Sequence, residues 1–243
     1  AMRAGTFGHA LLLEPELAYG LFEPSPTAPA NTVEGKAIWR AWVASHGAIP
    51  LADNKAGWIA AVETASGKEV LEAAQIEEKT RMVWAVNQNE AAMGLLLEMG
   101  AVEKFIEWDF AGLHFRGRLD MEGDEVTGDL KTCPDASAET ILRNMKIWPS
   151  RVIHGQHVVP AEIMQAAHYS TCTGKKHYLL FVDKDCEVMV CEVSDASIEK
   201  ALARIEFLAE RYLDLLNQSR RDPSVFLKSQ DFWTPKTYGY YQF

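Results

Sequence analysis

The hydrophobic pattern of the chain changes period at Gly100, and that change limits the fold more than any other feature. Before it, apolar residues recur at about 3.6-residue intervals, as helices require. Ile38, Trp39, Trp42 and Val43 mark one helix over Glu34 to about Ser45, and Ala73, Ile76, Val83 and Val86 mark another over Val70 to Val86. A third, Glu90 to Met99, is expected to end at Gly100 as a left-handed C-terminal glycine. Pro24, Pro26 and Pro29 exclude regular structure from Phe22 to Thr32. After Gly100 the period becomes two. The runs Val102 to Phe110, Leu113 to Met121 and Glu125 to Lys131 are separated by Ala111-Gly112 and Glu122-Gly123-Asp124, which is turn chemistry. A three-stranded antiparallel meander is the expectation.

A helix or loop (Ala136 to Lys146) and a helix (Pro160 to Thr173) come next. Two strands, Lys176 to Asp183 and Glu187 to Val193, flank a turn at Lys184-Asp185. A long helix, Asp195 to about Ser219, carries Ile198, Leu202, Ile205, Leu208, Tyr212 and Leu215 as one apolar stripe expected to be buried. Strands and helices in this order predict a mixed sheet flanked by helices, an α/β or α+β architecture with a helical N-terminal part. We expect a single domain over residues 1–243: a helix-rich part (1–100), a sheet core with the long helix (101–221) and an aromatic tail (222–243).

Composition narrows the function classes. With 24 Lys and Arg against 34 Asp and Glu, the 243 residues carry a formal charge of −10, which argues against a protein that coats nucleic acid nonspecifically. Apolar runs such as Leu11–Leu13 are too short to span a bilayer and no signal peptide opens the chain, so a cytoplasmic location without membrane contact is expected. Four cysteines with no C-x-x-C spacing exclude a disulfide framework, a zinc ribbon and a four-cysteine cluster.

The chemistry concentrates in Arg118-Leu-Asp120 and Gly128-Asp-Leu-Lys-Thr132. Alternate strand residues share a face, so Asp129 and Lys131 point one way and Leu130 the other. Asp120 lies on the preceding strand across a tight turn, within reach of Asp129. Two carboxylates beside an ammonium suit Mg²⁺ or Mn²⁺, which take oxygen ligands and leave positions for phosphate and water. Alone, D-x-K on a strand is most often a solvated ion pair. Its company gives it weight: Gln165 and Tyr169 stand at i and i+4 on one helix face, Gly5-Thr-Phe-Gly-His9 opens an apolar helix, and Glu107 lies in the first strand of the meander.

In this order of residues the chain resembles the PD-(D/E)xK nuclease superfamily, in particular the RecE-like (exonuclease VIII type) recombination exonucleases of phages and prophages. The resemblance runs from about Gly5 to about Tyr169 and, with the final strands and helix, covers most of the chain. It implies a restriction-endonuclease-like core. It implies further that Asp120, Asp129 and His9 bind the metal, with the Leu130 carbonyl as a further ligand, and that Lys131 is the catalytic lysine. Glu107 would be the accompanying acid. Gln165 and Tyr169 would support the site and contact DNA, and Thr132 and Arg118 would be neighbours that steady the site or contact phosphate. The implied activity is Mg²⁺-dependent (Mn²⁺ substituting) exonuclease action on double-stranded DNA, 5′ to 3′, in homologous recombination. The implied partners are a homo-oligomer forming a ring and a single-strand annealing protein. A structure-specific or restriction-type endonuclease, or a non-catalytic DNA-binding or assembly protein on the same fold, remain the alternatives.

Basic residues cluster weakly, at Arg143, Lys146 and Arg151, at Lys175-Lys176 and at Arg220-Arg221. The tail holds Phe226, Phe232, Trp233, Tyr238, Tyr240, Tyr241 and Phe243, and its aromatic content predicts docking on its own domain or on a second subunit.

Overall fold

The computed structural model describes residues 2–147, 151–153 and 156–221. The aromatic tail and its expected docking lie outside them. In chain order the elements are α1 (Met2–Leu13), α2 (Pro15–Leu21), β1 (Phe22–Pro24), α3 (Val33–Ser45), α4 (Lys55–Ser66), β2 (Glu69–Leu71), α5 (Ala73–Gln88) and α6 (Glu90–Leu97). There follow β3 (Met99–Phe110), β4 (Leu113–Gly123), β5 (Val126–Cys133), α7 (Ala138–Ile147), β6 (Arg151–Ile153), β7 (Gln156–Val158), α8 (Ala161–Thr173), β8 (Lys176–Asp183), β9 (Val188–Glu192) and α9 (Asp195–Arg221). The fold is α+β. Its principal sheet has the order β3-β4-β5-β8-β9. β3, β4 and β5 are antiparallel, as the turn residues predict. Thr127 bonds to Lys176 and His177 while Cys133 lies at Val182, so β5 and β8 advance in parallel and the sheet is mixed.

The chain divides into two compact units, and the division falls within β5, β8 and β9. The first contains residues up to Leu97 with Leu130–Ser137 and Phe181–Met189. Its helices start where side chains satisfy their free N–H groups. Thr32 accepts from Gly35, Asn54 accepts from Gly57, and Glu72 and Gln75 cap each other reciprocally. The Glu72 cap starts α5 at Ala73, so Val70 and Leu71, expected to open the helix, instead lie in the strand Glu69–Leu71, which pairs in parallel with Phe22–Pro24. Phe7, Ala10 and Leu11 of α1 pack with Ala18, Phe22 and Leu71 in one core cluster, and Trp39, Val43, Trp58, Val62 and Val70 form another.

The second unit contains Glu98–Asp129, Ala138–Leu180 and the chain from Val190 onward. The β3–β4 hairpin turns at Ala111-Gly112, both with positive φ (49° and 75°), the two-residue turn whose twist matches the strands. Gly100 does not close a helix. It lies inside β3, at a register shift between Met99 and Ala101. α8 and α9 pack together. The buried side of α9 is Ala201, Ile205, Ala209 and Leu215, while Tyr212 of the expected stripe is exposed. Ala201 and Ala209 on α9 and Ala166 and Ala167 on α8, all buried, let helix backbones approach closely, and that brings the alanine side of α9 inward. Among the described residues no helix is long and apolar enough to cross a membrane.

Candidate active site

Strand register sets the site. Met121 pairs with Gly128 and Glu122 with Thr127, so one further step places Asp120 opposite Asp129. On the other side of β4, Val102 pairs with Met121 and Lys104 with Leu119, which places Glu103 opposite Asp120. Carboxylate oxygens of Glu103 and Asp120 lie within 4.8 Å of each other. Three acids therefore stand on adjacent positions of three neighbouring strands. Asp129 is only 1% exposed.

Glu103 is absent from the sequence-based set, and its backbone explains why. Its φ is +53°, a left-handed conformation that costs an L-residue about 1–2 kcal/mol. The alternation of β3 breaks there: Lys104 and Phe105 are both exposed before Ile106 resumes the buried face. Period-two reasoning assigns no reliable side to a residue at such a break. Glu107, the acid named by the resemblance, lies opposite Arg116 instead, with its side chain 54% exposed and 3.8 Å from His114.

α8 supplies the polar cover. The Gln165 amide has two hydrogens and uses both, one toward Asp129 Oδ1 (3.3 Å) and one toward the Tyr169 hydroxyl (3.0 Å). Tyr169 in turn donates to the backbone oxygen of Arg118 (2.9 Å). Burial holds the Tyr169 phenol above its usual pKa; the Gln165 bond opposes this, and the charges of Asp129 and Asp120 add to it. The phenol is thus a fixed donor that ties α8 to β4. Gly117 makes the approach feasible, because a Cβ there would stand 3.0 Å from the Tyr169 ring. Beneath it, Tyr169 packs with Ile106 and Leu119. His177, 1% exposed, faces the Tyr169 ring at 5.7 Å and shares a 2.8 Å hydrogen bond with Thr127.

The remaining sequence-derived residues have these places. Arg118 is mostly exposed and ion-paired with Glu103. Leu130, Lys131 and Thr132 continue β5 beyond Asp129, with Leu130 buried, Lys131 half-buried and Thr132 exposed. These three, like His9, belong to the first unit, where His9 is a half-buried residue of α1. Of the basic clusters, Lys175 and Lys176 are engaged by Glu122 and Glu192. His168 packs against Phe115 (4.5 Å) and Trp108 (5.5 Å), and burial pushes its pKa down to about 4, so it is neutral. The side chains of His154 and His157 lie outside the described ones.

No protein-family model and no curated protein matches the chain. Among solved structures it is similar to the crystal structure of a candidate exonuclease from Eubacterium rectale, at 13% identity over 85% of this chain and 78% of that one, with a TM-score of 0.46. It is also similar to the crystal structure of SSO0001, at 17% identity over 55% of this chain and 67% of that one, with a TM-score of 0.27.

Proposed function

We propose that the chain is a divalent-metal-dependent deoxyribonuclease: a Mg²⁺-dependent exonuclease on double-stranded DNA, acting 5′ to 3′ in phage-type homologous recombination. The observation that carries the reading is the opposition of Asp120 and Asp129 on β4 and β5, with the buried Asp129 held by Gln165. A donor set of carboxylate oxygens fits Mg²⁺ or Mn²⁺, and the like charges of Glu103 and Asp120, within 4.8 Å of each other on adjacent strands, are stabilised by a cation between them. Asp120 and Asp129 would hold the metal with Glu103, whose carboxylate lies within 4.8 Å of Asp120, joined by His9 and the Leu130 carbonyl as the family resemblance implies. When bound, the metal supplies Lewis acidity toward phosphate and acidifies water.

The protein groups do the rest. Lys131 orients the attacking water and takes part in moving its proton. Gln165 and Tyr169 fix the Asp129 carboxylate. Arg118 exchanges its Glu103 partner for a phosphate oxygen.

End-labelled linear duplex and covalently closed circular DNA, each with Mg²⁺, with EDTA and with Lys131→Ala, test the reading. Linear DNA should be degraded, circles should survive, EDTA should stop the reaction, and Lys131→Ala should slow it about 10³-fold, equivalent to about 4 kcal/mol of barrier. Equal digestion by wild type and variant would reject the site. Cutting of circles would make the enzyme an endonuclease instead.

Glu103 gives a second test. Glycine tolerates the left-handed φ of position 103 but loses more entropy on folding, so Glu103→Gly should change stability by only about 0 to +1 kcal/mol. Its Mn²⁺ affinity, measured by titration calorimetry, should fall about 10-fold or more. Unchanged affinity would remove Glu103 from the ligand set.

A further inference from the structure

The β4–β5 ladder is registered at Met121–Gly128 and Glu122–Thr127, but β3 and β4 continue past it to their turn as a two-stranded ribbon with β3 at the sheet edge. One face of this ribbon, with Trp108 and Phe115, is covered by His168 and Tyr169 of α8. The other face is exposed and consists of three cross-strand pairs: Phe105 with Arg118, Glu107 with Arg116, and Asp109 with His114. Phe105 is 60% exposed. The row ends at Arg118, whose guanidinium meets Glu103, whose carboxylate neighbours Asp120. The face is thus continuous with the candidate active site.

We propose that this face is a track for a single strand of DNA, with Arg116 and Arg118 on successive phosphates and Phe105 under a base. The inference rests on the nuclease reading above, whose substrate it extends to an unpaired strand. Three features select this occupant. Arg116 and Arg118 are two strand residues apart, about 6.6–6.8 Å, comparable with the phosphate step along a nucleic-acid strand. An exposed aromatic ring beside a guanidinium binds unpaired bases by stacking, which a base-paired stack does not offer from its side. Two acids beside the row have partners within it: His114 shares a 3.0 Å hydrogen bond with Asp109, and Arg118 pairs with Glu103. A phosphate that takes Arg118 releases Glu103 toward a cation shared with Asp120. Strand binding and cation binding are therefore coupled, each strengthening the other by the same factor.

Fluorescence anisotropy of a labelled oligothymidylate with the full chain, in Ca²⁺ and in EDTA, reads this directly. Ca²⁺ should tighten wild-type binding about 5-fold or more. Phe105→Ser should weaken it about 10-fold. Arg116→Gln should weaken it about 5-fold and lower the logarithmic salt slope by about 0.7, the single-strand value for one lost phosphate contact. Circular dichroism melts of both variants should match wild type, which separates lost contacts from lost fold. Wild-type affinity in both folded variants would overturn the track. So would a change in oligomer mass by light scattering for Phe105→Ser with DNA affinity intact, because the face would then join copies of the chain. Lys131-dependent cleavage alongside unaltered variants would reject the track and leave the nuclease reading standing. Absence of Lys131-dependent cleavage with variant-sensitive binding would do the reverse.

Discussion

Asp129→Asn should abolish nearly all DNA cleavage, a fall of about 10³-fold or more, while leaving the metal-free protein as stable as wild type or more so. The asparagine keeps the shape of the side chain and an oxygen for the Gln165 amide, so packing around the 1%-exposed position is preserved. What disappears is a negative charge buried opposite Asp120. Removing one of two neighbouring like charges relieves their repulsion, so the substitution should be neutral or stabilising by about 1 kcal/mol in EDTA. The same removal deletes a metal carboxylate, worth several kcal/mol in the transition state. Thermal melts separate the two effects. Saturating Mn²⁺, at about 100 times its dissociation constant, should stabilise wild type by about 2.7 kcal/mol and the variant hardly at all. A variant that melts well below wild type in EDTA, or cleaves within tenfold of it, would mean that Asp129 is a structural carboxylate and that the site lies elsewhere.

The pairing behind this prediction is legible in the sequence because it depends only on local rules. A period of two and a turn at Glu122-Gly123-Asp124 bring Asp120 to Asp129, and the ladder has that register. Gln165 and Tyr169 share a helix face by spacing alone, and both bond as a pair. Glu103 is not legible, since a single left-handed residue reverses the side assignments around it and no residue type announces the reversal. The same limit applies to Gly100, whose type suits a helix end but which serves a β-strand irregularity. The helix α4 is hard to read from sequence because its alanine and glycine content blurs the apolar stripe. Its readable sign was the cap at Asn54, followed by Trp58 and Val62, buried at i and i+4. The tilt of the α9 stripe toward Ala201 and Ala209 is a tertiary choice, set by how closely two helices approach, and cannot be read from one helix at a time.

Glu122→Ala should be the most destabilising substitution on the polar side of the second unit, lowering stability by about 2–3 kcal/mol and the melting temperature by about 5–10 °C. Glu122 is 9% exposed and its carboxylate receives Lys104 on one oxygen and Lys175 on the other, the latter at 2.8 Å. Lys175 also donates to the Gly123 oxygen (2.7 Å), so the triad joins β3, the end of β4 and the link from α8 to β8. Alanine leaves two ammonium groups facing a gap. The half-exposed Lys104 can rehydrate, which keeps the loss below that of a fully buried broken pair, whereas the less exposed Lys175 has only a backbone oxygen left. The bonds to Lys104 and then Lys175 hold the Glu122 carboxyl below its usual pKa. A depressed carboxylate pKa means that the unfolded state takes up its proton first as pH falls. The stabilisation is therefore complete above the ordinary carboxylate pKa and is lost as pH falls through that value toward the lower folded one. Denaturant midpoints at neutral and acid pH should show the gap between wild type and Glu122→Gln narrowing in acid, because protonation makes the wild-type side chain neutral as well. A gap that stays constant across that range would assign the role of Glu122 to packing instead of charge.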